Sequence, residues 1–171
     1  MSMRRAVRWT FVILGVLFLW RGGTSIFRAP TNEVLYAAGQ PRRICVPQIC
    51  TTMMSLEVGN TGTAPQDNVR VRFRAAPLQG LKLPLKVLDF GKVDRRVKMS
   101  EAGGERVYEL GRLEPQKRVE FQVVFHGPAS ELAPTWSEIL VGVEAAAGDA
   151  RPGDPALIQF ARFLHAFFGW L

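Results

Sequence analysis

Thiols and imidazoles are scarce in this chain, and that scarcity removes most metal chemistry. Its 171 residues hold two cysteines, Cys45 and Cys50, and two histidines, His126 and His165. Two thiols with four residues between them cannot complete a tetrahedral zinc site, and the histidines lie far from them in sequence. No Gly-x-Ser-x-Gly nucleophile turn, phosphate-cradling glycine loop or His-Glu-x-x-His occurs. Asp89-Phe90-Gly91 matches a kinase tripeptide by chance, because the glycine-rich loop, the strand lysine and the catalytic loop are all missing. Glu57, Asp67 and Asp89 are candidate carboxylates that only folding can bring together. No cofactor is expected, and the chain is read as a non-enzyme.

Acidic residues are missing from residues 1–30, which hold five arginines and no Asp or Glu. Residues 51–150 hold 13 basic and 13 acidic residues, a net charge of zero. The formal net charge of +7 therefore sits mostly beside the N-terminus rather than over the globular part. A nucleic-acid domain carries its own basic excess, so nucleic acid is not an expected partner. Arginines flanking an apolar run suit lipid headgroups and insertion orientation instead.

Long apolar runs are few, and one decides the address. Trp9 to Trp20 are twelve uncharged, mostly apolar residues, with Arg4, Arg5 and Arg8 before them and Arg21 after. Alone the run gives about 18 Å of helix against about 30 Å of hydrocarbon. Extended from Ala6 to Phe27 it reaches a spanning length, with Arg8 and Arg21 snorkelling at its ends. Trp9 and Trp20 then mark the two interfaces, and Phe11, Leu14, Leu17 and Phe18 fill the apolar middle. A cleaved signal peptide is the competing reading, with Gly22-Gly23-Thr24-Ser25 after the apolar stretch. No Ala-x-Ala site follows, and no cysteine suits a lipoprotein box. Residues 1–28 are accordingly read as a membrane anchor, N-terminus cytoplasmic, with the rest of the chain extracytoplasmic (periplasmic).

Gly22, Gly23, Pro30 and Asn32 mark a linker, and residues 29–50 are read as linker running into a Cys-containing turn. In an oxidising compartment Cys45 and Cys50 are expected to close a short disulfide around Pro47; two unpaired thiols are the alternative. Period-two stretches follow: Met54–Val58, Val69–Phe73, Leu81–Val87, Val119–Phe125 and Ile139–Val143. Each is short and bounded by turn formers, with no 3.6-period segment between them. That pattern predicts an all-β fold, an antiparallel sandwich over residues 51–149. Pro84 assigns its stretch to a sheet edge, and Glu101-Ala102-Gly103-Gly104-Glu105 reads as a charged hairpin tip.

Leu56-Glu57-Val58-Gly59-Asn60-Thr61-Gly62, followed by Asn68-Val69-Arg70-Val71, resembles bacterial extracytoplasmic immunoglobulin-like domains of the cell-surface, adhesion type. Leu110-Gly111-Arg112-Leu113-Glu114-Pro115, ahead of Val119-Glu120-Phe121, resembles their turn into a late strand. The likeness covers roughly residues 50–145 and implies an immunoglobulin-like sandwich that binds or spaces. It implies no catalytic residue. Asn60 and Gly62 are expected to reverse the chain through left-handed backbone.

Arg70, Arg72 and Arg74 fall on one strand face. They are read either as a stripe toward anionic lipid or an acidic partner, or as a solvated row balanced by neighbouring acids. Residues 150–171 form the last segment, an amphipathic helix after the breaker cluster Arg151-Pro152-Gly153-Asp154-Pro155. Gln159, Arg162 and His165 make its polar stripe; Phe160, Phe163, Leu164, Phe167, Phe168 and Trp170 are candidate lipid or partner contacts. The expected function is a membrane-anchored structural or accessory subunit docking on an integral membrane protein complex beside the lipid bilayer. The alternative is a periplasmic ligand- or metal-binding carrier or chaperone using Cys45, Cys50, Met53 and Met54, since soft sulfur suits Cu(I).

Overall fold

The computed structural model describes residues 31–79, 81, 85–89, 93–94 and 96–168, the segments 93–94 and 163–168 by backbone alone. The anchor reading for Trp9, Phe11, Leu14, Leu17, Phe18 and Trp20 lies outside the described residues. No helix among the described residues is long and apolar enough to cross a membrane.

The spine is a pair of long antiparallel strands. β3 (Ile49–Asn60) runs against β9 (Arg118–Pro128) from Ile49 opposite Pro128 to Gly59 opposite Arg118. Apolar and polar side chains alternate along both, so one face is buried and the other wet. On the far side of β3 lie β1 (Val34–Ala38), paired with its second half, and β2 (Arg42–Val46), paired with its first half. β12 (Arg151–Pro152) adds to β1 in parallel, and β5 (Lys86–Asp89) and β6 (Val93–Asp94) extend the sheet beyond β9.

The second sheet has the order β11 (Gly148–Asp149), β10 (Leu140–Ala145), β4 (Gln66–Arg74), β8 (Glu105–Leu113), β7 (Lys98–Ala102), all antiparallel. Met54, Leu56, Val58, Val119, Phe121 and Val123 of the first sheet meet Val69, Val71, Phe73, Tyr108, Leu110 and Val143 of the second. Phe73 sits edge-on to Phe121 (5.5 Å between centroids) and to Tyr108 (5.6 Å), a favoured aromatic geometry. The all-β sandwich is therefore present.

Three local expectations change. Residues 34–46, read as linker and turn, are strands β1 and β2. β2 is exposed on both faces and offers only Ile44 and Val46 as alternating apolar positions, too few to announce a strand. Of the stretch Leu81–Val87, Lys86 and Val87 belong to β5, while Lys82, Leu83 and Pro84, with the sheet-edge reading for Pro84, lie outside the described residues; a helical turn, α1 (Ala75–Gln79), precedes the stretch. Leu110–Leu113 belongs to β8 itself, and the chain turns afterwards, where Lys117 N–H donates to Glu114 O (3.1 Å) and Gln116 has φ 62°. The charged tip is as expected: Gly103 and Gly104, at φ 61° and 78°, supply the positive dihedrals of a tight hairpin. A short helix α2 (Trp136–Ile139) leads into β10, and α3 (Pro155–Phe168) closes the described chain.

The Asn60–Gly62 turn works by a different means from left-handed backbone. Neither residue has positive φ. The Asn60 side chain is fully buried: its Nδ2 donates to Ala64 O (2.8 Å) and Leu113 O (2.9 Å), and Gly62 N–H donates to its Oδ1 (2.9 Å). Gly62 is needed for space, since a Cβ there would lie 2.2 Å from Thr31 O.

Candidate functional site at the disulfide hairpin

The least ordinary surface is the hairpin made by β2 and the start of β3. Pro47 and Gln48 turn the chain, Val46 faces Ile49, and Cys45 faces Cys50 across the ladder with a disulfide between them. Period-two geometry puts Arg42, Ile44 and Val46 on the outer face with Ile49, Thr51 and Met53. Ile44 is 66% exposed, Val46 62%, Ile49 54% and Met53 45%. Four large apolar side chains this open, on one strip of two strands, exceed scattered surface hydrophobics.

The inner face of the hairpin is strapped to the loop after β9. Arg43 Nη2 donates to the carbonyls of Ala129 (3.0 Å) and Glu131 (2.8 Å). Between that loop and Cys50, Thr52 and Phe125 lies a pocket of about 100 Å³. Room for roughly three waters is well short of the ~300 Å³ that small-molecule sites begin at. His126 sits on the outer face of β9, its Nδ1 3.0 Å from Thr51 Oγ1, a cross-strand pair.

The other candidates separate. Arg70, Arg72 and Arg74 do share a face, and each has a partner, two of them inside the sheet and one in α2. Arg72 forks between Glu105 (2.8 Å) and Glu144, and those carboxylates, Glu144 first, push its guanidinium further above its ordinary value. Arg70 lies 3.9 Å from Glu109, and Arg74 Nη1 donates to Glu138 O (3.2 Å). Glu57 pairs with Arg118 (2.9 Å) on the outer face of β3, Asp67 is in the other sheet, and Asp89 ends β5, so no carboxylate pair arises from them. Met53 points out while Met54 is buried, and the two cysteine sulfurs are bonded to each other. No group of three His, Cys, Asp or Glu side chains comes together among the described residues.

In α3, Leu157 and Phe160 are exposed. Phe163, Leu164, Phe167 and Phe168 are described by backbone alone, and Trp170 lies outside the described residues. Asp154 caps the helix, its Oδ1 accepting from Ala156 N–H (2.8 Å) and Leu157 N–H (3.1 Å). The residues missed by pattern reading are Arg43, Ile44, Val46 and Ile49. Their one signal was apolar residues alternating with Arg42, Arg43 and Cys45 just before Pro47.

No protein-family model matches the chain, and no curated protein matches it. Among solved structures, a biomass-sensing module of an Rsgi-like protein of Clostridium thermocellum, described as resembling a family 3 carbohydrate-binding module, is similar at 13% identity. That alignment has a TM-score of 0.40 and covers 73% of this chain and 100% of the module. The chitin-binding domain of Chi18aC from Streptomyces coelicolor is similar at 12% identity and a TM-score of 0.32, over 71% of this chain and 96% of that one. A GH20 exo-β-N-acetylglucosaminidase from Vibrio harveyi aligns at 9% identity and a TM-score of 0.34, over 71% of this chain and 18% of the enzyme. At TM-scores of 0.40 and below, these likenesses carry no argument.

Proposed function

We propose that the chain is a non-enzymatic, membrane-anchored accessory subunit that docks onto and stabilises a larger membrane protein complex. Its immunoglobulin-like sandwich would stand on the periplasmic side. The observation that carries the reading is where the chain enters and leaves the sandwich. Thr31 O accepts from Thr63 N–H (3.0 Å) and Ala64 N–H (3.3 Å), which seats the incoming chain beside Asn60. A Cβ built on Gly59 would lie 2.6 Å from Pro155 Cβ, which seats the outgoing chain at the same end of β3. The apolar run Trp9–Trp20 precedes Thr31, and the aromatic-rich segment 160–171 follows Pro155. Both hydrophobic stretches are thus joined to one pole. Two weak attachments on one body gain from high effective concentration.

A metal-carrier reading has less behind it, because its four sulfurs do not converge: two are bonded together and Met53 and Met54 lie on opposite faces of β3. The test is extraction of the full chain from membranes in mild detergent, followed by native mass measurement. Co-migration with a defined membrane complex is the expected result. Recovery as a free monomer without affinity for bilayers would overturn the proposal.

A further inference from the structure

β1 and β2 form one interrupted edge along β3, and only half of it is covered. On β1, β12 adds a strand through two positions, Leu35 opposite Arg151 and Tyr36 opposite Pro152. On β2, no strand lies beside Arg42–Val46 other than β3, among the described residues. Antiparallel ladders alternate close and wide pairs. The 4.1 Å between the Cα atoms of Cys45 and Cys50 marks them as a pair that exchanges no main-chain hydrogen bonds. The N–H and C=O of Cys45, and by the same alternation those of Arg43, therefore face away from β3. Proteins protect such edges with charge, and the outer strand β7 does so with Lys98 and with Glu101, which pairs with Arg106 (3.0 Å). The Ile44–Val46 stretch is instead apolar, disulfide-held and open.

We propose that this edge receives an extended strand from another polypeptide of the membrane complex, with apolar residues beside Ile44 and Val46 and a carboxylate in reach of Arg42. The proposal rests on the accessory-subunit reading and names the chemistry of its partner. Three observations select that occupant. The same edge already takes a two-residue strand at β12, so the addition continues an arrangement the molecule uses. Arg42 is exposed with no carboxylate within ion-pair distance among the described residues, which leaves a positive charge for an acidic neighbour. Position selects against the other occupants. The hairpin tip lies the length of β3, roughly 37 Å at ~3.4 Å per residue, from the Asn60 end where the chain enters and leaves. The edge's outward main-chain N–H and C=O groups call for hydrogen-bonding partners, which lipid acyl chains do not supply. Two copies joined antiparallel through β2 would aim their Asn60 ends in opposite directions, which one bilayer cannot serve.

The experiment places a photoreactive amino acid at Ile44, and separately at Val46, in the full chain in its native membranes. Adducts are mapped by peptide mass spectrometry. Both probes are expected to mark one stretch of one other polypeptide, at positions two residues apart, as a strand ladder requires. Arg43→Pro deletes one outward main-chain N–H and should cut the yield by about tenfold. Arg43→Ala, which loses the strap to Ala129 and Glu131 but keeps that N–H, should retain most of it. Ile44→Lys, probed from Val46, gives a second loss should the proline disturb the hairpin. Adducts on lipid, on a second copy or scattered over unrelated positions would overturn the strand proposal, as would absence of adducts. Membrane retention is measured in parallel: its loss in the unaltered chain counts against the tether, and its persistence without adducts counts against the strand alone.

Discussion

Asn60 shows how much one side chain decides in the sandwich. It satisfies two carbonyls and one amide at the point where β3 ends and the chain from Thr31 crosses it. Asn60→Ala removes the donor to Leu113 O, the shorter of two donors to Ala64 O and one of the two acceptors of Gly62 N–H, and should lower stability by about 2 kcal/mol in urea unfolding. Asn60→Asp should cost at least as much, because it aims a carboxylate oxygen at the carbonyls of Ala64 and Leu113. A second residue-scale prediction concerns Glu138. Its Oε2 accepts from Thr135 N–H (2.6 Å) and Thr135 Oγ1–H (3.0 Å), and these bonds, the backbone one first, hold its carboxyl below the ordinary carboxylate range. A depressed folded-state pKa stabilises above the unfolded value, about pH 4.3, and that stability is lost as pH falls through the folded value. Glu138→Gln should therefore melt earlier than the parent at pH 7, and the two should converge in acid. Asn60 and Gly62 were visible in the sequence as a turn. Their mechanism was not, because the carbonyls that Asn60 meets and the backbone that Gly62 admits come from distant residues.

At the scale of elements, the β2–β3 hairpin is a sheet edge whose disulfide lies outside the main hydrophobic core. Closing a loop of about six residues stabilises by roughly 2 kcal/mol in the chain-entropy account. Paired Cys45→Ser and Cys50→Ser substitutions should lower stability by that amount or less and leave the far-ultraviolet spectrum of the sandwich unchanged. A global loss of fold would show that the hairpin is part of the core. The arginine strand β4 teaches the opposite lesson. Alternation alone placed Arg70, Arg72 and Arg74 on one face, but the partners of Arg70 and Arg72, Glu109, Glu105 and Glu144, come from β8 and β10, and Arg74 reaches Glu138 O in α2. Charge-pairing across strands depends on register, and register is absent from a single strand's sequence.

At the scale of the whole molecule, the sandwich unit and the hydrophobic ends are predicted to separate in function. Removing residues 160–171 should leave a cooperatively melting β domain while lowering membrane retention severalfold in a flotation assay. Loss of the cooperative melt would place those residues in the fold instead. The β class of the long strands β3, β4 and β9 was legible because each buries one face, and burial on alternate residues writes itself into composition. The glycine pair at 103–104 was legible for a local reason as well, since positive φ is a property of the residue. So were the neutral charge of the body and the apolar run at the start, which are sums over sequence. Tertiary structure alone decided that residues 34–46 form the edge of a sheet, that the chain enters and leaves at one end of β3, and that Ile44, Val46 and Ile49 stand open at the other. Those facts depend on which strand lies beside which, a long-range choice set by the packing of two sheets and not by any local run of residues.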